Sequence, residues 1–180
     1  MLRQNWAKTM LALLISISAV AVGQDKTGEE KHPAPPSNPV LEKMRKLAGE
    51  WIEAQPESGK PAQTVSVFRV VGAGSAVAET MFPGSDHEMI TMYHLDGDVL
   101  TLTHYCAMGN QPRMKARPGK DANKIEFEFS GGTNVDEKKG AHMHSMILTF
   151  VDDNNITEEW THYTDGKSTG GATFKLTRKK

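Results

Sequence analysis

The stretch HEMITMYHLDGDVLTLTHYCA, residues 87–107, contains two runs rich in β-branched, aromatic and aliphatic residues, separated by a tight-turn signal. The runs extend from His87 to Leu95 and from Val99 to Ala107, and Asp96-Gly97-Asp98 lies between them. An Asp-Gly pair between two such runs is typical of a β-hairpin. The stretch therefore predicts two antiparallel strands.

Runs of the same kind occupy much of the chain on both sides of this hairpin. After Trp51 the apolar pattern has a period of two, which is the period of a strand with one buried face. The further runs are residues 65–71, 75–82, 125–129, 142–151, 156–163 and 173–178. Short turns join them, so we expect an all-β fold, a single antiparallel up-and-down barrel of about 8–10 strands. An open sandwich is the alternative.

Residues 1–23 have the pattern of a secretory signal peptide. Arg3 and Lys8 precede an uncharged apolar run, residues 10–22, and small residues occupy positions 21–23. The apolar run is short for a membrane span. We expect a mature protein that starts near residue 24, is periplasmic or secreted, and keeps no membrane anchor.

The segment that follows divides into a linker and a short helix. Residues 24–37 are polar and proline-rich, which is typical of a flexible or extended linker. Asn38 fits a helix N-cap, Pro39 the first helical position and Gly49 the stop. We therefore assign residues 38–180 to one barrel domain with a short N-terminal helix.

Charge and cysteine content exclude some classes of function. Without its first 23 residues the chain has 19 basic and 22 acidic residues, and the basic ones are scattered. This balance gives no general attraction to nucleic acid, so we expect no nucleic-acid partner. With Cys106 as the single cysteine, the chain can form no internal disulfide, and its stability must come from the core.

Two positions near the ends of the predicted sheet resemble the calycin group, the lipocalins and similar closed barrels. Gly49-Glu50-Trp51 follows the helix, and Arg178 ends the last run. In calycins a tryptophan of this kind plugs one barrel end and an arginine of the final strand covers its ring. The resemblance implies that Trp51 and Arg178 are in contact and close the barrel.

The chain also resembles an uncharacterised bacterial family of exported calycin-like proteins. The stretches that carry this resemblance are Phe82-Pro83-Gly84, His87-Glu88-Met89, Tyr93-His94-Leu95-Asp96-Gly97, Thr103-His104-Tyr105-Cys106-Ala107, Gly109-Asn110-Gln111-Pro112, His142-Met143-His144 and Glu159-Trp160-Thr161. That family has no assigned activity, so the resemblance implies the fold and leaves the function open.

Histidines are the most distinctive candidates for chemistry. His142 and His144 are two apart, so regular strand alternation puts them on one face. Together with His104 they are candidate ligands for zinc or copper, which accept imidazole nitrogen. The alternative is that they are polar wall residues with hydrogen bonds inside the sheet. Cys106 beside His104 lacks an orienting third group, and we assign no catalytic residue.

The hairpin loop decides which histidines face the interior. His104 and Cys106 lie on the more apolar face whether the loop has three residues or two. A three-residue loop adds His94 to that face, and a two-residue Asp96-Gly97 loop adds His87 instead; the sequence leaves both open. Among the acidic residues, Glu79 and Glu158 have apolar neighbours two positions away and are the candidates for the interior.

A barrel of this size has room for one small ligand, so binding is favoured over catalysis. We expect a small, partly apolar ligand, of which haem held by one axial imidazole is one version; no cofactor is specified. The predicted cavity-lining residues are Met92, Leu102, His104, Cys106, His144, Met146, Phe150 and Trp160. A zinc- or copper-dependent enzyme or metal-binding protein and a structural domain without a ligand are the alternatives.

Overall fold

The chain folds into a closed barrel of ten antiparallel strands in the described residues, 33–56 and 59–180 of a computed structural model. The predicted signal peptide and most of the predicted linker lie outside these residues. The strands are β1 Gly49–Glu53, β2 Thr64–Val71, β3 Ala76–Met81, β4 Met89–Asp96, β5 Val99–Tyr105, β6 Gln111–Ala116, β7 Lys124–Thr133, β8 Ala141–Asp152, β9 Asn155–Thr164 and β10 Lys167–Arg178.

Each strand pairs with the strands before and after it in the chain, and β10 pairs with β1 to close the ring. The predicted all-β up-and-down barrel is therefore confirmed, and the open-sandwich alternative is wrong. Closure leaves no exposed sheet edge, which is how such barrels avoid pairing with other chains.

One short helix, α1 (Pro39–Arg45), precedes the barrel. The side chain of Asn38 accepts hydrogen bonds from the backbone N–H groups of Val40 and Leu41, as an N-cap does. Residues 33–37 are neither helix nor strand. Among the described residues, no helix is long and apolar enough to cross a membrane.

Helix α1 lies across one end of the barrel, which we call the helix end. Side chains of Asn38, Lys43 and Arg45 donate hydrogen bonds to backbone carbonyls of the β4–β5, β6–β7 and β2–β3 connections, respectively. All three connections lie at the same end. The apolar stripe of the helix is buried there with Leu47, and Leu41 and Met44 have no exposed surface. No helix of the described chain covers the opposite end, which we call the far end.

Trp51 and Arg178 meet at the helix end. They are register partners on β1 and β10, and the guanidinium carbon of Arg178 lies 4.4 Å from the centre of the Trp51 ring. The indole Nε1 donates to the carbonyl of Leu47 at 2.8 Å. Arg178 donates to the carbonyls of Ala48 and Lys46 at 2.8 and 2.7 Å. The arginine thus ties the last strand to the helix–β1 connection.

The first hairpin has a register that neither sequence alternative gave. Asp96 pairs with Val99 and Leu95 with Leu100, so the loop is Gly97-Asp98. Gly97 has a φ of 61°, which a tight turn requires and glycine adopts at little cost. The two-residue Asp96-Gly97 alternative was wrong by two positions in pairing. It placed Tyr93 and His104 on the inner face, but it wrongly added His87, which is exposed.

Strand β6 is an element that the sequence pattern obscured. Asn110-Gln111-Pro112 is typical of a turn. The structure instead ends the turn at Asn110 and begins β6 at Gln111. Pro112 is tolerated because the register against β7 shifts beside it, between Pro112 and Met114.

Candidate functional site

The barrel interior contains a group of buried polar side chains among apolar ones. Glu79 and Glu158 both have no exposed surface, which confirms that they are internal. They belong to β3 and β9, which are not neighbours in the sheet. Their side chains therefore meet across the interior and not along the wall.

Glu79 is held as a hydrogen-bond acceptor. The hydroxyl of Ser66 donates to one of its carboxyl oxygens at 2.7 Å, and the phenol of Tyr93 donates to the other at 2.7 Å. Burial raises the pKa of Glu79, and these two donors oppose that rise by favouring the charged form. Burial and the nearby carboxylates raise the pKa of Tyr93 in turn, so its phenol stays protonated.

Glu158 is the member of the pair whose pKa is raised more strongly. Trp160 Nε1 donates to its Oε2 at 3.2 Å, and its Oε1 has no hydrogen-bond partner among the described residues. Burial and the charge of Glu79 raise the pKa of Glu158 well above its usual value. Each carboxyl shifts the pKa of the other, so the two groups lie close together. These shifts favour a protonated Glu158 beside a charged Glu79, because two adjacent buried carboxylates cannot both ionise cheaply.

His104 is a second buried polar group, and one of its nitrogens is unsatisfied. Its Nδ1 lies 2.9 Å from the hydroxyl of Thr91, and its ring centre is 4.8 Å from that of Trp160. Burial lowers the pKa of His104 to about 4, so the ring is neutral at neutral pH. Its Nε2 is buried and has no partner in the described part of the chain.

The interior is closely filled at the level of these residues. His104 on β5 packs against Trp160 on β9, and Tyr93 on β4 packs against Phe127 on β7 with ring centres 5.9 Å apart. Neither pair of strands is adjacent. Rings that meet across the barrel in this way divide its interior.

His142 and His144 form a separate cluster nearer the far end. The His144 ring is stacked between Tyr163, at 3.8 Å, and Phe129, at 5.0 Å. His142 Nε2 lies 3.0 Å from His144 Nδ1. Burial lowers the pKa of both histidines, and the charge of Glu137 opposes this.

The structure thus brings together two of the three candidate metal ligands and gives His104 different neighbours, Thr91 and Trp160. Among the described residues, no group of three or more His, Cys, Asp or Glu side chains is arranged to hold a metal ion. The strand segment that brings His142 and His144 together is also irregular. The register of β8 against β9 shifts between Met143 and Ser145, so simple alternation does not describe this segment.

The predicted cavity-lining residues fall into three groups. Leu102, His104, Met146 and Trp160 are buried in the interior. Three others are half-buried, with Phe150 against the core, Cys106 just after β5 and His144 in its aromatic stack.

Met92 is the remaining predicted lining residue, and its placement is corrected. It lies on the opposite face of β4 from the buried Thr91 and Tyr93, as a consequence of the Gly97-Asp98 loop. Neither His87 nor His94 joins His104. His94 lies on the same outer face as Met92, and His87 is exposed with its Nδ1 2.8 Å from Asp86.

Sequence reasoning did not single out Ser66 and Thr91. The only signal was a small hydroxyl side chain at an inward position of an otherwise apolar strand. A surface cleft of about 390 Å³ also lies beside α1, with Val40, Lys43 and Ile125 in its lining. It is at the helix end, away from the polar interior.

No protein-family model matches the sequence, and no curated protein matches it.

Proposed function

We propose that this is an exported protein that binds one small, partly apolar molecule inside the far end of its barrel. The observation that carries the proposal is the unpartnered, buried Nε2 of His104. A polar atom buried without a partner costs about 1–3 kcal/mol, and a bound ligand group would recover that cost.

The surroundings of His104 favour binding over catalysis. Thr91 fixes one ring nitrogen, so the other presents a single defined hydrogen-bonding position. Trp160 supplies a flat apolar surface next to it. The ring is neutral at neutral pH because of its burial, which suits an uncharged hydrogen bond more than acid–base work.

The far end is the entrance in this proposal. The helix end is covered by α1, whose Leu41 and Met44 are buried there, as is Trp51 of β1. His104 is the second-last residue of β5 and therefore lies toward the far end. The signal-peptide pattern of residues 1–23 supports export, and sequencing of the mature N-terminus tests it: a start near Gln24 is expected, and a retained apolar run would refute it.

The experiment that tests binding is native mass spectrometry of the protein purified without denaturation from its own periplasm or medium. We expect an adduct of one organic molecule, weakened at least tenfold in occupancy by His104→Ala. His94→Ala is the matched control, because that histidine lies on the outer face of the neighbouring strand, and it should leave the adduct unchanged.

Tryptophan fluorescence tests whether the ligand binds near Trp160, independently of the mass spectrometry. In a Trp51→Phe background, Trp160 is the single tryptophan of the mature chain. Rebinding of the extracted ligand should change its emission. Stoichiometric zinc or copper lost on His142→Ala would instead support the metal alternative. The structural alternative would be supported if the purified protein carries no adduct and if its Trp160 emission does not change when extracts of the periplasm or medium are added.

A further inference from the structure

Two more unpartnered polar atoms lie at the far end, beyond the interior group. Asn110 Oδ1, in the β5–β6 turn, and His142 Nδ1, on β8, are both buried and have no hydrogen-bond partner among the described residues. Asn110 is 6% exposed and His142 is 1% exposed. A buried polar atom without a partner is unfavourable, so two at one barrel end indicate that something else satisfies them.

A hydrogen bond from the amide nitrogen of Asn110 determines the orientation of its side-chain amide. Asn110 Nδ2 donates to the carbonyl of Ala141 at 2.8 Å, and Ala141 directly precedes His142 in the chain. This bond fixes the amide, so the unpartnered atom is the oxygen, which can only accept. It also places the Asn110 side chain against the start of β8, beside His142.

The chemistry of His142 Nδ1 depends on the neighbouring histidine. If His144 Nδ1 donates to His142 Nε2, then neutral His142 carries its proton on Nδ1 and can donate. If His142 Nε2 donates to His144 instead, Nδ1 is an acceptor. The stack of His144 between Tyr163 and Phe129 holds the pair in place in both cases.

We propose that Asn110 and His142 form a polar recognition site for an uncharged carboxamide-type group of the ligand. A primary carboxamide has two N–H donors and one carbonyl acceptor. One N–H satisfies Asn110 Oδ1. His142 Nδ1 then either accepts the second N–H or donates to the carbonyl, so the group suits both proton arrangements of the histidine pair.

A carboxylate of the same size is disfavoured at this site. It carries no donor, so its lone pairs would face the lone pairs of Asn110 Oδ1. The negative charge of Glu137 also acts on this histidine pair and would repel an anion. The inference rests on the proposed function, because it assigns a second polar contact to the ligand that pairs with His104 Nε2 and packs on Trp160.

The test compares two probes that differ only in their polar group, hexanamide and hexanoate, by backbone amide NMR titration of the mature protein at pH 7.5. We expect both to shift resonances around His104 and Trp160, with hexanamide binding at least fivefold more tightly. Asn110→Ala should reduce that preference to less than twofold. Gln111→Ala, which changes the adjacent side chain at the start of β6, should preserve it.

The outcomes separate this inference from the proposed function. Equal affinity of the two probes in the unmodified protein, or a preference that survives both Asn110→Ala and His142→Phe, overturns the carboxamide site and leaves interior binding standing. The comparison of the two probes in the unmodified protein tests the site even if the variants do not fold. Shifts confined to the cleft beside α1, or no shifts because the two atoms hold only a structural water, overturn both.

Discussion

Replacing Trp51 by alanine should be the most destabilising single change at the helix end. The ring has no exposed surface, donates a hydrogen bond to Leu47 and packs edge-on against Phe68 with ring centres 6.3 Å apart. Truncating a buried tryptophan costs about 3–5 kcal/mol. We expect the upper part of that range, because the Leu47 carbonyl also loses its donor and Arg178 loses the ring beneath it. Domains of this kind are stable by about 5–15 kcal/mol in total.

Urea unfolding followed by far-UV circular dichroism at pH 7.5 measures the loss. Arg178→Lys keeps the charge but loses the planar group that both stacks on Trp51 and donates to two carbonyls, and it should cost about 1–2 kcal/mol. A double-mutant cycle between the two sites should give a coupling of about 0.5–2 kcal/mol. Val151→Ala, at a 61% exposed position, is the control and should have no measurable effect. A Trp51→Ala protein within about 1 kcal/mol of the unmodified one, or a coupling of zero, would refute the closing role.

Three further changes test other parts of the fold. Glu158→Gln should stabilise the protein relative to the unmodified one, little at pH 4 and increasingly as pH rises above about 5, because a carboxyl whose pKa is raised by folding costs stability once it would ionise in the unfolded chain; the same pH dependence of stability in both proteins would contradict the raised pKa of Glu158. Asn38→Ala should cost about 1 kcal/mol in urea unfolding through loss of the helix cap, whereas Ser37→Ala should be neutral, and equal effects would exclude a specific cap. Gly171→Ala should destabilise by about 3 kcal/mol or more, because its Cβ would lie 1.9 Å from a carbonyl oxygen of β9. Gly119→Ala, whose nearest atoms are 3.9 Å away, should not, and a normal melting temperature for the Gly171 variant would show that β10 can shift.

The strand order was predictable because it is encoded locally. Apolar alternation marks strands, and short turns between them force antiparallel neighbours, so an up-and-down barrel follows without long-range information. The same alternation identified Glu79 and Glu158 as internal. Each of them is a charged residue whose neighbours two positions away in the strand are apolar.

The exact register and the partners in the site were not predictable in this way. Moving the hairpin loop to Gly97-Asp98 changed the pairing of β4 and β5 and removed Met92 from the interior. The irregularity near His144 has no sequence signal that alternation could detect. The contact of His104 with Trp160 depends on barrel closure and strand tilt, which no short segment specifies.

Closure of the ring by its first and last strands has a consequence for how the protein is made. The Arg178 side chain reaches the backbone of Ala48, 130 residues earlier in the chain. That bond cannot form until β10 has left the ribosome, so a nascent chain that lacks β10 has two unpaired strand edges that can join with other chains. Contacts so distant in sequence also slow folding. A chain truncated before β10 should therefore aggregate rather than fold partly. Chaperones that delay collapse would act in the period before β10 is synthesised.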